Sequence, residues 1–155
     1  IPHFKSLLDK GAKELPITDF RMTRFWITLD QGVDLVFRAI REKRGGGIYV
    51  SKIPSVRMTD LAKAMAPKAK LKQVGIRPGE KLHEVMITEE DSRVTYDYGD
   101  HYIIFPNFDW WDKKMHFKRG GKRVGDGFRY ASDSNEKWLE GEKLEKALEK
   151  IEIVY

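Results

Sequence analysis

Arg77-Pro78-Gly79-Glu80 brings side chains of complementary chemistry together on a backbone whose geometry is nearly dictated by residue type. Proline fixes φ and glycine accepts φ > 0, so the central Pro-Gly pair specifies a tight turn. The turn sets a planar, fork-shaped cation, Arg77, close to a carboxylate, Glu80. A guanidinium grips phosphate oxygens in bidentate fashion, and a carboxylate accepts hydrogen bonds from a diol. The pairing therefore suits a nucleoside diphosphate with its ribose attached. Spacing by itself also describes a surface ion pair, the commoner use of Arg and Glu around a turn.

Other chemistry-bearing residues carry weaker signals. His83 follows the turn closely and is read as a hydrogen-bonding residue that shapes it, although imidazole is the side chain suited to proton transfer near neutral pH. His3, His101 and His116 have no partner at metal-ligand spacing, no H-E-x-x-H motif occurs, and there is no cysteine, so no metal site is expected. Trp110-Trp111 lies beside Lys113, Lys114, Lys118, Arg119, Lys122 and Arg123, an arrangement able to stack bases and follow phosphates. No known nucleic-acid module surrounds it. The two tryptophans are read as packing an irregular loop onto the core or a neighbouring subunit.

The chain's 155 residues, 41% apolar and 34% charged, suit one soluble globular domain with a sizeable core. No apolar run is long enough to span a membrane and no signal-peptide pattern opens the chain; the expected location is the cytoplasm. A net charge of +5 favours an anionic partner, for which nucleic acid, acidic lipid and a nucleotide sugar all qualify.

The elements that must position the turn follow from local patterns. A short helix is expected within 1–13, with Phe4, Leu7 and Leu8 on one face, and an extended segment over 14–19. Thr28 and Gln31 form a capping box for a helix whose Leu29, Val33, Val36, Phe37 and Ile40 share a face. Gly45 stops that helix, and Ile48–Val50 reads as a short outer strand of a dinucleotide domain's sheet. Thr59 is the expected cap of a helix ending at Met65, before Pro67. A strand over 70–76 leads into the Arg77 turn. Val85 and Met86 fit a helical turn or a strand. Residues 94–105 read as a hairpin turning at Gly99-Asp100, and 107–127 as an irregular excursion. A helix over 142–152 is supported by Glu142 and Lys146 at i,i+4.

Three ordered blocks carry a resemblance. Leu15-Pro16-Ile17-Thr18-Asp19 with Arg21-Met22-Thr23-Arg24-Phe25-Trp26-Ile27-Thr28-Leu29 is the first. The second is Gly75-Ile76-Arg77-Pro78-Gly79-Glu80-Lys81-Leu82-His83-Glu84. The third is Tyr130-Ala131-Ser132-Asp133-Ser134-Asn135 with Trp138-Leu139. Together they resemble the inverting UDP-N-acetylglucosamine 4,6-dehydratases. Those enzymes belong to the extended short-chain dehydrogenase/reductase superfamily and to the nucleotide-sugar enzymes of polysaccharide biosynthesis. The superfamily's glycine-rich dinucleotide turn is missing from this sequence, as is its catalytic Tyr-x-x-x-Lys pair, since none of the six tyrosines has a lysine four residues on. The resemblance thus implies a carboxy-terminal, substrate-binding half of a larger enzyme, with an α/β fold that is mixed α+β in isolation.

The resemblance also implies roles. Arg24 and Arg77 would approach the diphosphate from separate turns, with Arg21 a weaker candidate for the same task. Glu80 would contact the ribose, while Thr18 and Met22 would line the uridine pocket. The residue-level alternative makes Arg24 a surface partner of Asp19 or Asp30. No catalytic residue is expected in this chain. The implied reaction, with NADP bound mainly by an amino-terminal half, removes hydride from carbon 4, eliminates water across carbons 5 and 6, and returns hydride to carbon 6. Carbon 5 is inverted, and the 4-keto-6-deoxy product serves surface or flagellar glycan synthesis. The implied partners are a UDP-sugar, the amino-terminal half and further copies of the enzyme, without nucleic acid or membrane. Alternatives are an epimerase or reductase of the same superfamily, a non-catalytic UDP-sugar-binding module, and a basic nucleic-acid-binding domain.

Overall fold

Capping chemistry and apolar spacing account for the helices of the computed structural model, which describes residues 1–44, 46–108 and 120–150. Helix α1 (Pro2–Asp9) carries proline in its first turn, where a missing N–H sacrifices no intrahelical bond. Helix α2 (Leu29–Glu42) opens on the expected capping box: the Gln31 N–H donates to Thr28 Oγ1 at 3.3 Å and the Thr28 N–H to Gln31 Oε1 at 3.0 Å. It ends as Lys43 turns left-handed at φ 48°. Gly45, the expected stop, lies outside the described residues. Helix α3 (Met58–Met65) corrects the sequence reading at its start. Arg57 is the N-cap and Thr59 sits inside the first turn, with no side chain capping the end. Helix α4 (Gly141–Glu149) carries Glu142 and Lys146 3.7 Å apart and ends with Lys150 as its C-cap, short of the expected 152; residues 151–152 lie outside the described residues.

The chain forms two compact units. The first comprises Ile1–Trp26, Pro54–Glu84 and Ser132–Tyr155. In it, β1 (Glu14–Ile17) runs parallel to β5 (Lys70–Gln73), and β2 (Thr23–Phe25) runs antiparallel to β4 (Ser55–Arg57). Alternation puts Leu15 and Ile17 on one side of β1, where they join Phe4 and Ala62 in a buried cluster. Trp26, Val56, Leu61 and Leu144 form a second cluster. Helix α3 serves both, through Ala62 and Leu61 at adjacent positions. Pairing of β5 stops at Gln73, short of the expected Ile76. Beyond it the Val74 and Gly75 N–H groups donate to Ile17 O and Thr18 O at 2.9 and 3.0 Å, which carries the chain into the Arg77 turn.

The second unit comprises Ile27–Ile53 and Val85–Ala131. Four antiparallel strands lie in the order β3 (Ile48–Ser51), β8 (His101–Ile104), β7 (Thr95–Asp97) and β9 (Lys122–Arg123). β3 pairs with β8 of this chain, Ile48–Ser51 and His101–Ile104 being in register over four residues, and its other edge has no partner among the described residues. The expected hairpin turn joins β7 to β8, with Gly99 at φ 93°. Val85 and Met86 belong to a strand, β6 (Val85–Ile87), paired with β10 (Tyr130–Ala131). Tyr130 is buried, and its hydroxyl bridges Ile53 N and O, at 2.9 Å each; burial pushes its phenol up to about 12. His101 is sandwiched between Tyr49 and Tyr98 at ring-centre distances of 5.6 and 5.3 Å, with the Arg44 guanidinium 4.0 Å above Tyr98. The Trp110-Trp111 pair, Lys113, Lys114, Lys118, Arg119 and His116 fall outside the described residues.

Candidate functional site

A hollow of about 280 Å³ opens in the first unit, and all five predicted site residues line it: Thr18, Met22, Arg24, Arg77 and Glu80. Phe4, Ile17, Met58 and Val74 supply apolar wall. Thr18 and Met22 reach it from the loop between β1 and β2, and Arg24 from β2 itself. Arg77 and Glu80 come from the turn after β5, some fifty residues further along the chain.

The turn has the expected geometry. The Glu80 N–H donates to Arg77 O at 3.0 Å across it, and Gly79 takes φ 79° at the position that needs a left-handed residue. Glu80 closes the turn a second time, accepting from the Arg77 N–H at 3.3 Å, while its other oxygen accepts from the Thr18 hydroxyl at 3.4 Å. The Arg77 side chain is exposed and its guanidinium has no ion-pair or hydrogen-bond partner among the described residues.

Arg24 is held quite differently. Its Nη1 donates to Thr23 O at 2.7 Å and Leu82 O at 3.1 Å, and its Nη2 to Lys81 O at 2.8 Å. Nε lies 3.4 Å from a Glu84 oxygen and Nη2 lies 3.9 Å from Glu80. A guanidinium has five N–H donors, of which three are committed to carbonyls here. The remaining two face the carboxylates of Glu80, which lines the hollow, and Glu84, which does not. The ion partners are thus Glu80 and Glu84, in place of the Asp19 or Asp30 considered from sequence.

Asp19 belongs to Arg21. The Arg21 Nε and Nη2 donate to its two oxygens at 3.0 and 2.8 Å, and the Arg21 N–H adds a third bond at 2.8 Å. Those bonds hold the Asp19 carboxyl at about 2. Arg21 is committed to this pair and does not line the hollow.

His83 also departs from its expected role. It does not bond the Arg77 turn; its Nδ1 lies 2.8 Å from the Thr23 hydroxyl on β2. Thr23 Oγ1 is 2.7 Å from Ser132 Oγ, which accepts from the Glu84 N–H at 2.9 Å. Backbone bonds run alongside: Thr23 N to Leu82 O at 3.2 Å and Ser132 N to Glu84 O at 2.8 Å. The network closes in either imidazole tautomer, because Thr23 donates to one neighbour and accepts from the other. It ties together all three sequence blocks behind the carbonyls that hold Arg24. Sequence reasoning missed Thr23 and Ser132, although both stand inside the quoted motifs.

Chemically, the arrangement offers two cations, one carboxylate and an apolar wall. Among the described residues no group of three or more His, Asp or Glu is arranged to hold a metal ion, and no helix is long and apolar enough to cross a membrane.

The model of a family described as polysaccharide biosynthesis protein matches residues 1–106. The chain belongs to that family. Among its relatives, the UDP-N-acetylglucosamine 4,6-dehydratase (inverting) of Campylobacter jejuni serotype O:2 is 48% identical over 149 residues, covering 93% of this chain and 45% of the relative. The UDP-glucose 4-epimerase of Rickettsia akari is 35% identical over 158 residues, covering 99% of this chain and 46% of the relative. The X-ray structure of Pen from Bacillus thuringiensis superposes with a TM-score of 0.75 at 26% identity, over 95% of this chain and 44% of that one. The mixed α/β fold is thus shared with a solved structure. The chain spans less than half the length of these relatives, and the Campylobacter relative bears the name to which the motif resemblance points.

Proposed function

We propose that the hollow binds the UDP moiety of a nucleotide sugar, and that the chain is the substrate-holding part of an inverting UDP-N-acetylglucosamine 4,6-dehydratase. The observation that carries the reading is the meeting of Thr18, Met22, Arg24, Arg77 and Glu80, from two distant stretches of chain, around one cavity. Its volume of about 280 Å³ is near the lower end of small-molecule sites, about 300–1,000 Å³. That suits the nucleotide and leaves the hexose outside. Arg77 brings a whole unengaged fork to the diphosphate, and Arg24 brings its two donors nearest the carboxylates. Thr18 and Met22 face the uridine, and Glu80 exchanges its Thr18 contact for the ribose diol.

In this reading the chain contributes binding energy and orientation, which hold the sugar against reacting groups located elsewhere. The described residues do not fit a nicotinamide dinucleotide: the sequence has no glycine-rich phosphate turn and no Tyr-x-x-x-Lys pair. NADP would be held by the part of the relatives' length that this chain does not span, and the chain alone would not turn over. The product would be a 4-keto-6-deoxy sugar nucleotide made in the cytoplasm for surface glycans. The Campylobacter relative's identity favours this reading over epimerisation.

Calorimetric titration of the 155-residue chain with UDP tests the site. Saturable binding that UMP competes for weakly is the expected result. Absence of binding at millimolar UDP removes the reading.

A further inference from the structure

Strand β2 sends its neighbouring side chains to opposite sides, as strands do. Arg24 lines the hollow, whereas Thr23 is buried and does not line it. The Thr23 hydroxyl is the middle of a three-member relay, 2.8 Å from His83 Nδ1 and 2.7 Å from Ser132 Oγ. Ser132, itself fully buried, accepts from the Glu84 N–H at 2.9 Å. The relay thereby grips the stretch 80–84, which has no helix or strand of its own and takes its place from what it is tied to. Two of the three carbonyls that hold the Arg24 guanidinium stand in that stretch, Lys81 O at 2.8 Å and Leu82 O at 3.1 Å. The Glu84 carboxylate, 3.4 Å from Arg24 Nε, belongs to it too. The groups that aim Arg24 are thus fixed from behind, by side chains that do not line the hollow. A long arginine side chain loses much rotamer freedom when it is held in one direction, and fixing it beforehand removes that ordering cost from binding.

We infer that Thr23, Ser132 and His83 are positioning residues of the diphosphate site: without touching the ligand, they lock residues 81–84 against β2 and so pre-set the Arg24 guanidinium. The inference rests on the reading of the hollow as a UDP site and adds the device that orders one of its two cations. Arg77 is the internal contrast, since its guanidinium has no such support among the described residues. A hydroxyl is required at position 23, because one atom must meet two neighbours, donating to one and accepting from the other. Valine has nearly the same shape and can do neither, whereas serine keeps the hydroxyl. At position 83, asparagine can place a polar atom near that of Nδ1 and leucine cannot.

A double-mutant cycle on the 155-residue chain, read by calorimetric titration with UDP, tests the coupling. Thr23→Val should weaken UDP binding at least fivefold in the parent chain and less than twofold in the Arg24→Ala background, because the relay acts through Arg24. Thr23→Ser should bind within twofold of the parent. His83→Leu and His83→Asn form a second pair, with loss in the leucine variant and recovery in the asparagine one, and they carry the cycle if Thr23→Val does not fold. A second readout needs no ligand. Nitrogen-15 spectra of the free chain should show the Arg24 Nε–H displaced from the position of a solvated arginine, and Thr23→Val or His83→Leu should return it there. Equal losses in both backgrounds overturn the inference, by making the relay a support of the fold at large, as does failure of both Thr23→Val and His83→Leu to fold. An Arg24 signal that stays put in the folded variants overturns it as well. Full UDP affinity in Thr23→Val, with the parent binding normally, sinks this inference alone. A parent chain that does not bind UDP sinks the proposed function, and the spectra of the free chain still judge the relay.

Discussion

Helices α3 and α2 are both amphipathic, yet they use their apolar faces in opposite ways. In the first unit, α3 buries Leu61 and Ala62 between two clusters, so its stripe is spent on the chain's own core. In the second unit, α2 is fastened by Arg38 and Glu42 and its stripe is left in water. An apolar period shows that a helix covers something; it does not say whether the covered body is in the same unit. The two units differ accordingly. One is a closed packing around a small hollow, while the other is a polar-stapled sheet and helix with an apolar side available.

The widest contrast comes from truncating each stripe. Leu61→Ala should lower the stability of the chain by about 2–5 kcal/mol, the usual cost of a cavity at a buried leucine. Phe37→Ala should change it by no more than about 0.5 kcal/mol, as at a surface position. Urea midpoints of the two variants measure this, and equal shifts would mean that α2 is packed much as α3 is.

Within the first unit the two arginines sharpen the comparison between a side chain used for structure and one left free. Arg77→Ala should weaken UDP binding by about 1–3 kcal/mol while the melting temperature stays put, because its guanidinium has no internal bond to lose. Arg24→Ala should weaken binding and also lower the melting temperature, since Thr23 O, Leu82 O and Lys81 O lose a charged donor. Calorimetry with parallel thermal melts separates the two. A melting loss in Arg77→Ala, or none in Arg24→Ala, would reverse the assignment.

The capping box offers a smaller effect. Thr28→Ala should destabilise α2 by about 1 kcal/mol, read as faster amide exchange in residues 29–33 with α3 unaffected. Exchange that does not change there would place the helix's stability in its packing instead of its cap.

Acid gives the mildest expected distinction. Asp19 has its pKa held at about 2 by Arg21, and Asp100 has its own lowered by the His101 hydrogen bond first and by Arg38 as well. A carboxyl whose folded pKa lies below its unfolded value stabilises the fold fully above that unfolded value, near 3.8. The contribution is lost as pH falls through the folded pKa. Carboxyl carbon shifts should therefore show Asp19 titrating near 2, and Arg21→Ala should return it towards the ordinary range. An Asp19 midpoint near 3.8 in the unmodified chain would dissolve the pair.

Much of this molecule was legible in residue order because the signals are local. The Pro78-Gly79 turn, the Thr28–Gln31 box, the Gly99 hairpin and the end of α3 at Met65 each follow from the chemistry of a few adjacent side chains. The motifs also named five of the residues that line the hollow. What local patterns lacked was the partner of each group. That Arg24 pairs with Glu80 and Glu84, that His83 bonds Thr23 and through it Ser132, and that β3 pairs with β8 are matters of contact between residues far apart in the chain. The outward mounting of α2 belongs with these. Periodicity fixes which residues share a face, but the direction of that face depends on what the opposite side holds, and here that side carries Leu35, Ala39 and the Arg38–Asp100 pair.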